Sequence, residues 1–158
     1  MRSIYKIVVC SLLTLSITSC EKDLLEKEQY QKEIYLIGAY NRVWTTEVSY
    51  SNEEVKTYFT VSSSGTLALD RDVNVKMKIN EELVDIYNKK YWTVLNEDKY
   101  YKSLDTDLYS IPSLENTVIK HAEGISAEVP VLIKTASLKI DQSYVIPVEI
   151  ESTTGIRI

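Results

Sequence analysis

The feature that most constrains this chain is a strict alternation of apolar and polar side chains over residues 72–79. Successive side chains of a β-strand point to opposite faces of the sheet, so a period of two predicts a strand with one buried face. Residues 143–151 repeat the pattern. The side chains expected to point inward are Val73, Val75, Met77 and Ile79 in the first stretch and Tyr144, Ile146, Val148 and Ile150 in the second.

Shorter runs with the same bias fill much of the remaining chain, and they predict strands at residues 34–37, 42–50, 57–61, 117–120 and 127–134. Proline cannot donate a hydrogen bond to a ladder, so the strands that contain Pro130 and Pro147 should be edge strands or carry a bulge. We expect Pro147 to face outward. Turns are predicted at residues 62–65 and 123–124, where a glycine can adopt positive φ.

One stretch, residues 80–91, follows a helical period instead. Asn80 can cap the helix, and acidic side chains in the first turn and lysines in the last turn suit the helix dipole. Asp85 and Lys89 have the spacing of a favourable i, i+4 pair. The predicted apolar stripe is Leu83, Tyr87 and Tyr91. An irregular, tyrosine-rich segment should follow the helix to about residue 109 and lie over the surface of the fold.

Several short strands and one inserted helix predict an all-β, mainly antiparallel fold, an immunoglobulin-like β-sandwich with one short helical insertion. The length of 158 residues suits a single core. With 18 basic and 23 acidic side chains the formal net charge is −5, which disfavours a nucleic-acid surface. We therefore expect no nucleic-acid partner.

The first 20 residues have the organisation of an export signal. A basic start precedes an apolar run over residues 7–17 and the small polar end Thr18-Ser19-Cys20. The run is shorter than the roughly 20 residues that span a bilayer. Its ending resembles the bacterial lipobox, which implies removal of residues 1–19 and lipidation of Cys20. The expected location is the outer membrane, with the chain held by its lipid at the cell surface.

Residues 20–32 are then a lipidated cysteine and a charged tether, and residues 33–158 are the sandwich domain. The charge pattern of the tether favours a solvated segment. A second interpretation is that Glu21 and Asp23 resemble the acidic signals that send lipoproteins of Bacteroidetes-type bacteria to the outer face of the outer membrane.

Aromatic side chains give the strongest indication of a ligand. Flat apolar rings with hydrogen-bonding rims suit stacking on sugar rings as well as protein contacts. The alternative is that most of these rings pack over the core. Tyr91 is expected in the core, and Trp92, one position around the helix, at the surface. The candidate ligand platform consists of Trp92, Tyr100, Tyr101, Tyr109 and Trp44.

No residue pattern points to catalysis, a metal or a cofactor. The single histidine, His121, is interpreted as a surface turn residue rather than a member of a Ser-His-Asp triad. Adjacent glutamates are typical of a solvated face, and four widely spaced glycines form no phosphate loop. The dense spacing of a calcium loop is missing from Asp70, Asp72, Asp105 and Asp107. We expect no enzyme, no catalytic residue, no metal and no cofactor.

The order and spacing of several segments resemble a known family. The segments are 63–65, 70–73, 83–88, 109–112, 117–119, Gly124 and 144–148. Across roughly residues 33–150 they resemble the N-terminal domain family of Bacteroidetes surface lipoproteins that is catalogued as domain of unknown function 1735. The resemblance implies an immunoglobulin-like sandwich on a lipid anchor, usually encoded near glycan-uptake systems and often followed by a carbohydrate-binding or glycosidase domain. It brings no catalytic residues, and with its end at Ile158 the chain is expected to be a stand-alone or shortened member.

The expected function is that of a non-catalytic, lipid-anchored surface domain that assists glycan capture or spaces a glycan-handling partner. The alternative is a structural or adhesive subunit that binds other proteins through its sheet edges. Expected partners are the membrane, through the N-terminal lipid, and a glycan or a protein at a sheet edge. Only residues 156–158 remain to complete the sheet beside the strand at 143–151. That strand should therefore pair with another chain or be covered by residues 93–110.

Replacing Cys20 by alanine tests the anchor. Labelled fatty acid should enter the unmodified protein, and Cys20→Ala should abolish both labelling and membrane retention, because acyl chains contribute about 0.8 kcal/mol per buried methylene to membrane binding. The other cysteine, Cys10, lies within the export signal, so Cys10→Ala is the matched control and should remain labelled. A Cys20→Ala protein that stays labelled would contradict the prediction.

Overall fold

The computed structural model describes residues 27–38, 42–139 and 142–158. Within them the chain forms short strands and one α-helix, α1 (Glu82–Tyr91). The strands are β1 (Ile34–Leu36), β2 (Glu54–Ser63), β3 (Val73–Ile79), β4 (Lys102–Ser103), β5 (Tyr109–Ser110), β6 (Thr117–Ile119), β7 (Ser126–Lys134), β8 (Tyr144–Val145) and β9 (Val148–Thr153). Three 3-10 helices cover Val94–Lys99, Thr106–Leu108 and Thr135–Ser137.

The first sheet has the strand order β1-β2-β7-β5, and every neighbouring pair is antiparallel. β2 and β7 pair along nearly their whole length, with Tyr58 opposite Pro130. On its other side β7 pairs with β5 only at Leu132 and Ile133. Within the described residues Pro130 therefore has a strand partner on one side only. Because proline has no N–H to donate to a second partner, this position suits it.

The second sheet has the order β6-β3-β9 and is also antiparallel, with a register shift between Lys76 and Met77 where β3 meets β9. β3 is the central strand of this sheet. A separate two-stranded pair joins β4 to β8 in parallel. The strand with the strictest alternation in the sequence thus lies at the centre of its sheet.

The two larger sheets contribute to one apolar core. Val73, Val75 and Met77 of β3 are completely buried, as are Val61 of β2 and Val129 of β7. A second, smaller cluster consists of Leu104, Val131 and Ile133. The predicted mainly antiparallel β-sandwich with one short helix is confirmed.

The strand predictions are confirmed over most of the chain. β3 alternates between buried and exposed side chains in the predicted register. The predicted turn at residues 123–124 is present, with φ of 130° at Gly124. The turn predicted at residues 62–65 begins later, because Ser62 and Ser63 still belong to β2, and Gly65 has the predicted positive φ of 121°. Strands also form where the sequence predicted them at 34–37, 57–61, 117–120 and 127–134.

The predicted strand at residues 42–50 is wrong. Most of its side chains are exposed, only Val43 and Val48 are half-buried, and within the described residues it pairs with no strand. Immediately after it, the Ser51 N–H donates to Thr135 Oγ1 at 2.9 Å. Residues with high β-propensity form a strand only where a neighbouring strand completes their backbone hydrogen bonds, and here that neighbour is missing.

The single strand predicted at residues 143–151 is also wrong, because it divides at Pro147 into β8 and β9, which join different sheets. Pro147 is buried rather than outward-facing. Its carbonyl accepts a hydrogen bond from the Asn80 N–H at 2.9 Å. Since proline has no N–H to continue a ladder, the chain leaves one sheet and enters the other at this residue.

The edge predicted at residues 143–151 is covered in part by the chain itself. β4, which lies within residues 93–110, pairs with β8, and the Leu104 N–H donates to the Val145 carbonyl at 2.9 Å. The outer edge of β9 has no strand beside it in the described part of the chain. The last residues return to the first sheet, where the Arg157 carbonyl accepts from the Ile34 N–H at 2.8 Å.

Residues 27–32, the described part of the predicted tether, are fastened to the loop that follows β2. The Glu28 carboxylate accepts hydrogen bonds from the Thr66 and Leu67 N–H groups. It also pairs with the Lys32 ammonium at 2.7 Å. Lys32 donates in turn to two carbonyls of the same loop. These hydrogen bonds hold the segment against the sandwich and lower the pKa of Glu28 to about 2.

Residues 27–31 are exposed, as the prediction of a solvated segment requires, but hydrogen bonds of Glu28 and Lys32 fasten this part of the segment to the sandwich. Cys20, Glu21, Asp23 and the export signal of residues 1–19 lie outside the described residues. Among the residues that the structure describes, no helix has the length and apolarity needed to cross a membrane.

The register of β3 can be tested by placing a charge on either face. Val75→Asp should lower the free energy of unfolding by several kcal/mol, because it buries an unpaired carboxylate in the core. Lys76→Asp is the matched control on the exposed face, where an ion pair with Glu151 is replaced by repulsion between two solvent-exposed carboxylates, and it should have a smaller effect. Urea unfolding measures both, and equal tolerance at the two positions would contradict the register.

The pH dependence of stability tests the contact made by Glu28. Its pKa falls from 4.5 to about 2, chiefly through the hydrogen bond from Lys32, so its stabilising contribution is complete above pH 4.5 and is lost as the pH falls toward 2. The difference in unfolding free energy between the unmodified protein and Glu28→Gln should shrink over that interval. Glu53→Gln, at an exposed glutamate, is the control, and the same acid dependence in both variants would contradict the account.

Candidate functional site

Asn80 fixes the beginning of α1. Its side-chain oxygen accepts from the Glu82 N–H at 3.2 Å, which confirms the predicted cap. Its amide nitrogen donates to the Glu149 carboxylate of β9 at 2.8 Å. The helix therefore starts from a defined point on the second sheet.

The buried face of α1 differs from the predicted stripe. The two buried residues of the helix are Val84 and Asn88, whereas Tyr91, expected in the core, keeps 48% of its surface exposed. The Asn88 side chain donates to the Tyr101 carbonyl at 3.0 Å and accepts from the Tyr101 N–H at 2.9 Å. The buried Asn88 amide thus satisfies both backbone groups of Tyr101. This contact fixes the rotation of α1 about its axis with Asn88 facing the tyrosine-rich segment, so that Tyr91 is not turned into the core.

Three tyrosine rings form a cluster on this side of the helix. The Tyr87 ring lies 4.5 Å from the Tyr91 ring and 5.5 Å from the Tyr101 ring, measured between centroids. The second contact is edge to face, an arrangement that aromatic rings favour. Partial burial, together with the two neighbouring phenols, raises the pKa of Tyr87.

The C-terminal end of α1 and the residues after it line an open surface cavity with a volume of about 370 Å³. This value lies at the small end of the roughly 300–1,000 Å³ that is usual for ligand pockets. We call this cavity the α1 pocket. Its lining residues are Lys89, Lys90, Tyr91, Trp92, Thr93, Val94 and Tyr100.

Two ammonium groups lie over aromatic rings at the α1 pocket. Lys90 Nζ is 5.5 Å from the centroid of the Tyr91 ring, and Lys99 Nζ is 5.6 Å from that of the Trp92 ring. Both distances are within the roughly 6 Å over which a cation is attracted to the face of an aromatic ring. At the α1 pocket, positively charged ammonium groups therefore lie over the faces of aromatic rings.

Trp92 is half-buried, so the expectation of a freely exposed ring is only partly met. Its indole N–H is buried and has no hydrogen-bond acceptor among the described residues. Unsatisfied polar groups of this kind are rare in folded proteins and often mark sites of function.

Of the other platform candidates, only Tyr100 joins Trp92 in the lining of the α1 pocket. Tyr100 lines the α1 pocket beside Trp92, and Tyr101 is half-buried against Tyr87. Tyr109 packs against the smaller apolar cluster, where burial raises its pKa and its hydroxyl has no hydrogen-bond partner in the described part of the chain. Trp44 is 58% exposed and is not among the lining residues of the α1 pocket.

Sequence reasoning did not single out the lysines of the α1 pocket as ligand-contacting groups. Lys89 and Lys90 were interpreted through the helix dipole, and Lys99 was not considered. The signal that could have found them is the run Lys89-Lys90-Tyr91-Trp92, in which two cations directly precede two large aromatic residues.

The second cavity, of about 340 Å³, lies where the two ends of the described chain meet. Its charged side chains are largely committed to each other or to backbone. Arg71 pairs with Asp70 at 2.9 Å, and Lys32 is held by Glu28 and by the loop after β2. The α1 pocket is the better candidate because its cations have no carboxylate partner among the described residues.

The groups considered for other chemistry have local structural contacts. His121 Nδ1 lies 2.7 Å from the Asp72 carboxylate, which also accepts from the His121 backbone N–H. These contacts join the start of β3 to the turn after β6, and they lower the pKa of Asp72. Asp105 accepts from the Asp107 N–H at the start of a 3-10 helix. Among the described residues, no group of three or more His, Cys, Asp or Glu side chains could hold a metal ion.

The fold defines a β-sandwich domain with one inserted helix, and comparisons with known proteins place it in a family. A protein-family model described as an N-terminal domain matches residues 30–157. A solved structure from Bacteroides ovatus, of a protein of unknown function, is similar over 78% of this chain with a TM-score of 0.58 and 12% identity. A multidomain protein including DUF1735, also from Bacteroides ovatus, is similar over 65% of this chain with a TM-score of 0.54 and 17% identity.

The chain belongs to the DUF1735-type family of Bacteroidetes N-terminal domains, as the order of its sequence segments predicted. At these identities the solved structures show the shared fold alone. The chain spans 40% and 33% of the length of those two proteins. No curated protein matches its sequence at a significant level.

The Asn88 contact can be tested by its removal. Asn88→Ala should lower the free energy of unfolding by about 1–3 kcal/mol, because it leaves the buried N–H and carbonyl of Tyr101 without partners. Asp85→Ala, one turn earlier on the exposed face, is the control and should change stability by less than about 0.5 kcal/mol. Urea unfolding followed by tryptophan fluorescence compares the two. Equal effects would show that the amide does not hold the segment.

Proposed function

We propose that this chain is a non-catalytic, lipid-anchored domain on the outer face of the outer membrane that assists glycan capture. The α1 pocket is the observation that carries the proposal. Its three aromatic side chains, Tyr91, Trp92 and Tyr100, surround a cavity large enough for a small ligand. In this proposal the domain binds sugar weakly, and it can also space a glycan-handling partner.

The chemistry of a sugar matches the lining of the α1 pocket. A pyranose ring presents an apolar face of C–H groups, which suits an aromatic ring, and a rim of hydroxyl groups, which need donors and acceptors. The Thr93 hydroxyl and the lysine ammonium groups supply polar atoms at the edge of the aromatic surface. Because the pocket is small and holds one or two sugar units, we expect dissociation constants of about 1 mM.

The anchor is supported by the sequence before the described residues. The ending of the export signal resembles a lipobox, and two or more acyl chains on Cys20 would hold the protein stably at a membrane. A spacing role is supported by the multidomain protein from Bacteroides ovatus, which includes a domain of this type. In that role the sandwich would carry a partner away from the membrane surface.

The absence of catalysis is part of the proposal. The histidine and two of the carboxylates considered for chemistry have structural contacts: Asp72 binds His121, and Asp105 accepts a hydrogen bond at the start of a 3-10 helix. We therefore assign the α1 pocket to binding and propose no reaction for it.

A second candidate function is that of a structural or adhesive subunit that binds proteins through a sheet edge. The observation that favours it is the outer edge of β9, which has no strand beside it in the described residues. An open edge is a template for a strand from another chain. Concentration-dependent polymerisation or strand exchange would favour this function, whereas glycan-array binding by a monomer would favour the first.

Two tryptophan variants test sugar binding at the α1 pocket. Trp92→Ala should weaken binding of the saccharides found on a glycan array by about tenfold or more, which corresponds to 1.4 kcal/mol. Trp44→Ala is the matched control, because Trp44 is exposed and lies outside the pocket lining. Isothermal titration calorimetry measures both proteins.

Because Trp92 is half-buried, Tyr100→Ala provides a second test at the same site. Circular dichroism should show that each variant keeps the β-sheet spectrum of the unmodified protein. Binding that survives Trp92→Ala and Tyr100→Ala but is lost in Trp44→Ala would contradict the assignment. Failure of every arrayed glycan to bind would overturn sugar binding as the function.

A further inference from the structure

Lysines and aromatic side chains lie together at the α1 pocket. Some exposed lysines of the described surface pair with carboxylates, as Lys76 does with Glu151 at 2.7 Å and Lys120 with Glu123 at 2.9 Å, whereas others, such as Lys56 and Lys139, do not. Around the pocket no lysine has a carboxylate within ion-pair distance in the described part of the chain. The three lysines concerned are Lys89, Lys90 and Lys99. A chain of net charge −5 thus has two lysines without an ion pair in the lining of one cavity and a third, Lys99, beside it.

Carboxylates are present near Lys89, Lys90 and Lys99 but form no ion pair with them in the described part of the chain. Asp85 lies one turn before Lys89, and Glu97 and Asp98 lie on the 3-10 helix that carries Lys99. None of these carboxylates lines the α1 pocket. The spacing of Asp85 and Lys89 predicted an attractive pair, yet these two side chains form no ion pair. The lining of the pocket thus contains two lysines and no carboxylate, whereas Lys99, like these carboxylates, lies outside the lining.

Helix stability accounts for only part of this arrangement. Lysines in the last turn of a helix interact favourably with its dipole, which is sufficient reason for Lys89 and Lys90. Lys99 belongs to a different element, and its ammonium still lies over the Trp92 ring at the same pocket. Lysines from two separate elements therefore lie beside the same group of aromatic side chains. The dipole of α1 explains the positions of Lys89 and Lys90 but not that of Lys99.

The position of the ammonium groups should also make the pocket bind neutral and anionic sugars differently. Lys90 and Lys99 lie over the faces of Tyr91 and Trp92, where a neutral sugar would stack. A neutral sugar must displace the ammonium and lose the cation–π attraction. A sugar that carries an anionic group can instead retain the ammonium as its charge partner while its C–H face contacts the ring.

We propose that the α1 pocket selects anionic saccharides, in which a carboxylate or sulfate group is attached to the sugar ring. This inference rests on the proposed function, since it names the class of glycan that the same pocket binds. Lys89, Lys90 and Lys99 supply the positive charge, and the aromatic rings supply the contact with the sugar.

Four probes of similar length test the selectivity in calorimetric titrations of the full chain. Tetragalacturonic acid carries carboxylates only, a sulfated galactan tetrasaccharide carries sulfates only, and cellotetraose is neutral. Hexaglutamate carries carboxylates without sugar rings. At least one anionic saccharide should bind at least about fivefold more tightly than cellotetraose, as one or two exposed ion pairs allow. The probe that binds more tightly identifies the preferred anionic group.

A matched pair of double variants assigns the effect to the pocket. Lys89→Gln with Lys90→Gln should remove the preference for the anionic saccharide, an affinity loss of about fivefold. Lys56→Gln with Lys139→Gln makes the same change in net charge at exposed lysines outside the pocket lining and should leave the affinity unchanged. Raising the salt from about 0.1 M to 1 M, which shortens the Debye length from about 10 Å to 3 Å, should weaken the anionic probe and not the neutral one.

The outcomes separate this inference from the function on which it rests. Equal binding of cellotetraose and both anionic saccharides leaves sugar binding intact and overturns the selectivity. Binding of hexaglutamate as tightly as tetragalacturonic acid also overturns it, because the sugar rings would then contribute nothing. Equal losses in the two double variants would show that net charge and not the pocket attracts the ligand. Binding of no saccharide at all would overturn the proposed function itself.

Discussion

The structure depends on the burial of one face of β3 between the two sheets. Val73, Val75 and Met77 have no exposed surface, and they contact side chains from the sheet that contains β2 and β7. Each fully buried aliphatic side chain of this size contributes about 1.5–3 kcal/mol. In a chain of 158 residues, burial of this row supplies a large part of the hydrophobic stabilisation that offsets the conformational entropy lost on folding. The remaining strands take their positions around it.

The candidate site depends on a different kind of interaction. The segment after α1 is short of strands and is held by polar contacts, chiefly the two hydrogen bonds between Asn88 and the backbone of Tyr101. These bonds place Tyr100 opposite the end of the helix, so that it meets Trp92 across the α1 pocket. A core of apolar contacts thus supplies the scaffold, and one buried amide positions the surface that we propose binds a glycan. The cations around that surface remain unpaired because no carboxylate of the described chain approaches them.

The sequence was most informative where one physical rule acted alone. Strict alternation placed every side chain of β3 on the correct face, and the order of segments identified the family. Prediction failed where a tertiary contact decided between local alternatives. Asn88, a polar residue, occupies the buried face because Tyr101 supplies its partners, and this displaces Tyr91 to the surface. Pro147 was correctly identified as a break in hydrogen bonding, but a sequence does not say that the chain changes sheets there. The convergence of Lys99 with Lys90 is likewise visible only in three dimensions.

The central claim, that the α1 pocket binds a saccharide, is tested most directly by nuclear magnetic resonance of the nitrogen-15-labelled chain. The sequence contains two tryptophans, one in the pocket and one outside it, so the two indole N–H signals form an internal comparison. On separate titrations with tetragalacturonic acid and with the sulfated galactan tetrasaccharide, each to about 10 mM and well above the expected dissociation constant, at least one saccharide should move the Trp92 signal and leave the Trp44 signal in place. Movement of the Trp44 signal alone, or of neither signal with either saccharide, would contradict the claim.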